Sequence, residues 1–161
     1  MVPVRSTAEI LAYKILNRLT DNKWLEWAYQ MLLAGFETES LLILAGMSRP
    51  LEYFEMRNLT DKVLQELQID YSAEDSVIEN YASYLAQQSL SGEIKPFYVL
   101  DKLKDIHTEL DYYSPLSDFY SLYFAWVDLQ VVEDQWYING VDRSNIDQAI
   151  TDCFKLWSEK S

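Results

Sequence analysis

Apolar residues recur at intervals of three and four along most of the chain, and the strict alternation typical of strands is scarce. This spacing places apolar side chains on one face of an α-helix. Only four glycines and four prolines interrupt the pattern, and 161 residues is the length of one domain. We therefore predict an all-α protein in which residues 1–161 form a single helical domain. Its helices, about seven or eight in number, would form one irregular bundle, although helices joined in pairs also fit a HEAT-like arrangement.

A capping box predicts where the first helix begins. Ser6 and Glu9 have the spacing at which each side chain accepts a hydrogen bond from a backbone amide at the start of a helix. The apolar stripe that follows comprises Ala8, Leu11, Ala12, Ile15, Leu16 and Leu19. We expect these six side chains to face the core.

The segment from Trp27 to Met47 is apolar over most of its length, which raises the question of a membrane anchor. A helix that spans a membrane needs roughly 20 consecutive apolar residues. Here Gln30, Glu37 and Glu39 interrupt the run, and Gly35 breaks it. We therefore predict a buried helical hairpin. Its first helix is predicted to begin at Asp21 or Asn22 and to end at Gly35. Its second helix is predicted to begin at Thr38 or Ser40 and to be closed by Gly46 and Pro50.

The rest of the chain predicts further helices, each with a start signal and an apolar face. A helix or a broken pair of helices, with a boundary near Asn58, is predicted beyond Pro50. The later helices are predicted to start at Ser72 with Asp75, at Pro96, at Ser114 with Pro115, and at Ser144. The inward positions of the first of these segments are Met56, Leu59, Val63 and Leu67. Across the whole chain, the predicted core includes Trp27, Met31, Leu44, Trp126 and Ile150.

The chain carries 26 acidic and 13 basic residues, a formal net charge of −13. Such a charge repels phosphate backbones and anionic lipid surfaces, so neither direct nucleic-acid binding nor membrane binding is expected. Cys153 is the only cysteine, which excludes an intramolecular disulfide and a cysteine-based zinc site. Arg5, Glu9 and Lys14 interrupt any apolar run near the amino terminus, so no signal peptide is predicted. We expect a cytoplasmic protein.

No residue pattern predicts a catalytic residue, a cofactor or a metal site. His107, the only histidine, falls on an apolar helical stripe, which favours a buried structural role over acid–base catalysis. Cys153 takes an inward helical position without a neighbouring base, which favours an inert buried thiol. Glu52 and Glu55 have helical spacing but lack the Glu-x-x-His element of carboxylate-bridged metal sites. Glycine-rich phosphate loops and hydrolase motifs are missing as well.

Twelve tyrosines and five tryptophans are the most informative excess in the composition. Two segments, Glu109 to Tyr120 and Val131 to Asn145, place aromatic residues beside acids where the helical period lapses. Tyrosine and tryptophan supply large contact areas at low entropic cost, so these segments favour protein contacts. The predicted protein-interaction residues are Asp111, Tyr112, Tyr113, Glu133, Asp134 and Trp136. The alternative is that these aromatic side chains fold back over the core.

The pattern W-A-x3-L-x2-G-x4-S-L-x2-L-A-G begins at Trp27 and ends at Gly46. In residues 24–67 the chain thus resembles small, poorly characterised all-helical bacterial proteins, some of which look like immunity proteins of toxin systems. The resemblance implies a bacterial cytoplasmic protein, and it supplies no catalytic residues.

Two functions of different classes are compatible with these features. The first is a non-enzymatic protein-interaction module, which neutralises a basic partner such as a nuclease toxin by covering its active site with acids and aromatic rings. The alternative is a small-molecule-binding or enzymatic helical module with a pocket near Tyr112, Tyr123, Trp126 and His107. The sequence leaves a scaffold or regulatory role and the oligomeric state open.

Overall fold

The computed structural model describes residues 1–48 and 51–160. Within these ranges the chain forms eight α-helices and one short 3-10 turn, with no strand, which confirms the all-α prediction. The helices are α1 (Thr7–Ile15), α2 (Lys23–Leu33), α3 (Glu39–Ala45), α4 (Tyr53–Glu66), α5 (Glu74–Leu90), α6 (Pro96–Glu109), α7 (Ser117–Val131) and α8 (Ile146–Ser158), and the 3-10 turn is Ser114–Leu116. Pro50, predicted to close the third helix, lies outside the described residues.

Contacts between residues divide the chain into two compact units, Met1–Tyr81 and Ala82–Ser161. The boundary falls inside α5. The first unit comprises α1 to α4 with the start of α5, and the second comprises the rest of α5 with α6 to α8. That residues 1–161 form one domain stays a prediction.

Two tryptophans of α2 lie at the centre of the core of the first unit. Trp24 and Trp27 are fully buried, and their ring centroids are 6.0 Å apart in an edge-to-face arrangement. The indole nitrogen of Trp27 donates to Thr7 Oγ1 at 2.9 Å, and that of Trp24 donates to the carbonyl oxygen of Arg18 at 3.0 Å. Both buried donors are therefore satisfied, which avoids the cost of an unpaired polar group in the core.

The capping box predicted at the start of α1 does not form. Ser6 has helical backbone angles, φ −65° and ψ −5°, and its side chain makes no capping hydrogen bond. A turn precedes the helix, so the first amides find partners in the preceding backbone, such as Thr7 N with the Val4 carbonyl at 3.0 Å. Glu9 is buried and lies 3.9 Å from the ammonium group of Lys23.

The side chains of α1 are buried on more than one face. Of the six residues predicted to face the core, Ala12 and Leu19 are fully buried and the others are half-buried. Ile10 and Tyr13 are buried although the predicted stripe omits them. The reason is that α1 has several neighbours, since the ring of Tyr13 also packs edge to face against Tyr81 of α5 at 6.1 Å. A single amphipathic stripe does not describe a helix in such a position.

A buried charge joins α1 to α4. The ammonium group of Lys14 donates to Thr60 Oγ1 at 2.8 Å and lies 2.6 Å from the carboxylate of Asp61. A buried charge requires partners of this kind, because an unpaired one loses its hydration without compensation. The pair therefore fixes the register of α1 against α4.

Helices α2 and α3 form the predicted hairpin, but only one of its faces is buried. Gly35 has φ +101°, the left-handed conformation predicted for the end of α2. Thr38 Oγ1 accepts a hydrogen bond from Leu41 N at 3.3 Å and so caps α3. The other face exposes Tyr29, Leu33, Leu42 and Ile43. The prediction of a buried hairpin is wrong for this face, because four consecutive apolar residues, 41–44, cannot all point to one side of a helix.

The next three helices begin close to where the sequence predicts. Helix α4 runs without a break through Asn58, α5 begins two residues after Ser72, and α6 begins at Pro96. Of the predicted inward positions of α4, Met56 and Val63 are buried and Leu59 and Leu67 are half-buried.

Aromatic residues of α7 and α8 lie at the centre of the core of the second unit. The ring of Phe119 lies 6.1 Å from that of Phe154 and 5.2 Å from that of Trp157. Ile150 is buried, as predicted. Ser83 of α5 donates its hydroxyl to the carbonyl oxygen of Trp157 at 2.9 Å, which ties the end of α8 to α5.

Two predicted positions in the second unit are wrong. Trp126 is half-buried, because α7 is apolar on nearly all sides and its neighbours do not cover every side; the ring lies 4.5 Å from that of Phe97. Ser144 does not cap α8, since the cap position is Asn145 and the hydroxyl of Ser144 donates to Asp142. Within the described ranges, no helix is both long and apolar enough to cross a membrane.

Candidate interaction surface

The predicted interaction residues lie in two segments of the second unit, one at each end of α7. Residues 111–113 precede the 3-10 turn that leads into α7, and residues 133–136 follow its last turn. The 15 residues of α7 separate the two segments by about 22 Å along the helix axis. Tyr112 is 61% exposed and Trp136 is 91% exposed, whereas Tyr113 is half-buried. The structure thus does not gather the six residues into one loop cluster.

A row of aromatic rings joins the two segments along α7. Ring centroids are 6.4 Å apart for Tyr112 and Tyr120, 4.8 Å for Tyr120 and Phe124, and 5.6 Å for Phe124 and Tyr137. Tyr120 and Phe124 are four residues apart and therefore lie on one face of the helix. We call Tyr112, Tyr120, Phe124 and Tyr137 the aromatic row. Because of it, the two segments are connected by a continuous series of ring contacts.

The loop at the start of the aromatic row is held by His107. Asp111 and Tyr112 have φ of +56° and +60°, a left-handed conformation that residues other than glycine seldom adopt. His107 is buried, its carbonyl oxygen accepts from Tyr113 N at 3.1 Å, and its Nδ1 lies 2.8 Å from the Tyr113 carbonyl oxygen. A carbonyl oxygen only accepts hydrogen bonds, so Nδ1 must carry the proton. His107 thereby positions the loop and offsets its strained backbone.

Aromatic rings fill the region around His107 and Tyr123, where the alternative function would require a pocket. The rings of Tyr112 and Tyr120 lie 5.6 and 5.0 Å from the ring of His107. Tyr123 is stacked on Phe97 at 5.2 Å, and the ammonium group of Lys104 lies 4.3 Å from its ring centroid. His107 is accordingly packed between rings, with its Nδ1 engaged by the backbone.

Gln135 organises the second segment, and the sequence analysis missed it. Its Oε1 accepts from the amides of Tyr137 and Ile138 at 2.8 and 2.9 Å, and its Nε2 donates to the carbonyl oxygen of Val141 at 2.9 Å. These bonds hold the backbone that follows Trp136 against the Gln135 side chain, and the side chain of Trp136 is exposed to solvent. A glutamine in a polar loop carries no local signal of this role, because its partners are set by the path of the backbone.

The segment of chain that contains α7 is rich in acidic residues. Between Lys104 and Arg143 the chain has eight aspartates and glutamates and no lysine or arginine. No basic group lies within ion-pair distance of Glu133 or Asp134 in the described part of the chain. Both follow the carboxyl end of α7, where the helix dipole adds partial negative charge. Arg143 offsets only part of this negative charge, since its Nε donates to one carbonyl oxygen of the last turn, that of Leu129, at 2.7 Å.

The acidic residues and the cysteine that the sequence analysis weighed and set aside do not converge on a site in the described part of the chain. No three His, Cys, Asp or Glu side chains are placed to share a metal ion within residues 1–48 and 51–160. Glu52 and Glu55 are exposed. Cys153 is half-buried, and burial together with the nearby Asp118 carboxylate raises the pKa of its thiol to about 12. That the chain binds no metal stays a prediction.

No protein-family model, no curated protein and no solved structure matches the chain. The resemblance of residues 24–67 to small bacterial helical proteins therefore stays a prediction.

Proposed function

We propose that the chain is a non-enzymatic protein-interaction module. Its partner, a basic protein, would bind the surface around α7 in the second unit, which consists of the aromatic row with Glu133, Asp134 and Trp136. The observation that carries this proposal is Trp136, which is 91% exposed on a loop fixed by Gln135 and follows two carboxylates without basic partners. A tryptophan held in solvent on a fixed backbone contributes nothing to its own core. At an interface it would bury a large contact area at little cost in side-chain entropy.

The roles of the two residue types are different. Aromatic anchors supply most of the binding energy of a typical interface, so Trp136 and the exposed Tyr112 are the proposed anchors. Carboxylates such as Glu133 and Asp134 steer a basic partner during encounter and disfavour acidic competitors. The stretch between Lys104 and Arg143 contains no lysine or arginine, so both segments that flank α7 carry carboxylates and no basic residue of their own.

A nucleic-acid-binding partner, such as a nuclease toxin, has the matching chemistry. Its own binding site must be basic to hold phosphates, and a row of carboxylates and rings offers that site charge and stacking surfaces similar to those of a nucleic acid. Neutralisation would then follow from covering the site. Capping and core packing alone would select much of the pattern that residues 24–67 share with small bacterial helical proteins. The resemblance therefore adds little, and the proposal is carried by the surface.

Capture of partners from the native cell tests this function. The wild-type chain, immobilised through an added tag, should retain a basic protein that Trp136→Ala retains at least tenfold less well, the loss expected for a central aromatic anchor of about 2 kcal/mol. Phe54→Ala is the matched control, since Phe54 is an exposed aromatic residue of the first unit. Equal retention by Trp136→Ala and the wild type, or retention of acidic proteins only, would contradict the proposal.

A further inference from the structure

A groove of about 670 Å³ runs between α7 and α8 in the second unit and is closed on one side by residues 137–139. The predicted interaction residues do not line it. Ala149, Cys153 and Leu156 of α8 line the groove together with Lys160, which follows the helix end by two residues. Their spacing of four, three and four residues places them along one side of the helix, and Asp152 and Trp157 flank them in the lining. The adjacent side of α8, with Ile150 and Phe154, is buried in the core. The groove side of α8 is thus distinct from the side that packs into the core.

The apolar wall of the groove combines buried side chains, Leu122 and Trp157 at 4% exposure each, with a leucine that is open to solvent. Leu156 is 64% exposed although it lies beside Trp157, Leu122 and Ile138 in the lining. A small-molecule site would bury most of its ligand, typically 70–90% of the ligand surface. An open groove between two helices suits a further helix, laid along it with one apolar face inward. From Ala149 to Lys160 the wall is about 16 Å long, which corresponds to about three helical turns.

The acidic side chains of the groove favour a positively charged ligand. Asp118 on α7 and Asp152 on α8 both line it. Asp152 accepts a hydrogen bond from the neutral Gln148 at 2.7 Å, and no basic group lies within ion-pair distance of either carboxylate in the described residues. The one cation in the lining, Lys160, has its ammonium group 3.8 Å from the ring centroid of Trp157. The groove thus already holds an alkylammonium group on an aromatic face, a favourable arrangement for a cation.

We infer that the groove between α7 and α8 binds a short amphipathic helix of the basic partner, with its apolar residues against Leu156 and Leu122 and its lysine or arginine side chains towards Asp118 and Asp152. This inference rests on the proposed function, and it adds a second contact region with its own residues. Lys160 is then an internal competitor, because its ammonium group already places a positive charge in the groove that receives the incoming cations.

Synthetic peptides test the groove without the natural partner. The probe is a 14-residue peptide with leucine at positions 3, 7 and 10 and lysine at flanking positions. One matched peptide has glutamine at every lysine position, and another has the same composition with the leucine spacing permuted. Binding is followed by amide NMR shifts of the uniformly ¹⁵N-labelled chain and by protection of Cys153 from iodoacetamide at pH 9. The alkaline pH is needed because burial raises the pKa of this thiol to about 12.

We expect the lysine peptide alone to shift amides of α8 and to protect Cys153. Asp118→Asn with Asp152→Asn should weaken binding by about 3- to 10-fold, the range for two exposed charge pairs. Lys160→Gln should tighten it by about 2- to 5-fold through removal of a like charge from the groove, whereas Lys155→Gln, an exposed control on α8 outside the lining, should not. No protection of Cys153, or equal binding of the glutamine or permuted peptide, would overturn the inference.

The natural partner separates failure of the groove from failure of the proposed function. Leu156→Ser should reduce partner capture by at least fivefold while leaving the helical circular dichroism unchanged, since Leu156 is mostly exposed. If Trp136→Ala abolishes capture but Leu156→Ser and the double aspartate variant do not, the groove inference is wrong and the proposed function stands. If none of these variants changes capture, both are wrong.

Discussion

The five tryptophans serve different purposes according to what covers each ring. Trp24, Trp27 and Trp157 are buried, Trp126 is half-buried against Phe97, and Trp136 is almost wholly exposed. Sequence alone does not separate the buried rings from the half-buried one. Trp126 and Trp157 both fall in register with apolar neighbours, and only the arrangement of the surrounding helices decides how much of each ring is covered. Trp136 was identified because it lies outside any helical period.

Substitution of Trp157 and Trp126 should therefore have unequal effects on stability. Trp157→Ala should lower the free energy of unfolding by about 3 to 5 kcal/mol, the range for a fully buried large residue. Trp126→Ala should cost roughly half of that, because part of its ring is in water in the folded state as well. Urea denaturation followed by far-ultraviolet circular dichroism measures both. Equal losses for the two variants would show that Trp126 is as buried as its helical register predicts.

At the scale of the elements, the junction of α3 and α4 depends on one carboxylate. Ser40 donates to Glu66 from its hydroxyl at 2.7 Å and from its amide at 3.0 Å, so Glu66 satisfies an orphan donor at the start of α3. These two hydrogen bonds from Ser40, the side-chain bond first, lower the pKa of Glu66 below the ordinary value of 4.5. The ionised form is thus favoured in the folded state.

This predicts a pH-dependent contribution of Glu66 to stability. Because its folded-state pKa is lowered, the stabilisation is fully present above the unfolded-state pKa of 4.5 and is lost as pH falls through the lower folded-state pKa. Glu66→Gln should consequently be less stable than the wild type at pH 7, and the difference should vanish in acid. Denaturant titrations at pH 7 and at successive acidic values test this, with Glu37→Gln as an exposed control. A difference that is independent of pH would contradict it.

The helices themselves were largely predictable, and their caps and outer faces were not. The three-to-four spacing of apolar residues is a local property, so α6 begins at Pro96 and α2 is followed by the left-handed Gly35, as the sequence predicts. A cap depends on the backbone that leads into the helix, which at Ser6 is already helical. The exposed face of the α2–α3 hairpin had a signal in the run of apolar residues 41–44, whereas the role of Gln135 had none.

At the scale of the whole molecule, the question is whether the charge of −13 acts as a general property or through the surface around α7. Two double variants separate these possibilities. Glu133→Lys with Asp134→Lys, and Glu37→Lys with Glu55→Lys, each reverse two exposed carboxylates, and each changes the net charge by +4, from −13 to −9. General solubility and long-range repulsion are thus altered equally, and only the position of the change differs.

If the surface around α7 steers a basic partner, the first variant should associate about tenfold more slowly at low ionic strength, and the second should associate almost as fast as the wild type. The gap between them should close as salt is added, since the Debye length falls from about 30 Å at 0.01 M to about 3 Å at 1 M. Dissociation rates should change little, because exposed charges act mainly on encounter, whereas Trp136→Ala should speed dissociation. Stopped-flow or surface-plasmon measurements over this salt range give both rates. Equal slowing of the two double variants would mean that the charge acts through the molecule as a whole, and the carboxylates after α7 would then have no special part in recognition.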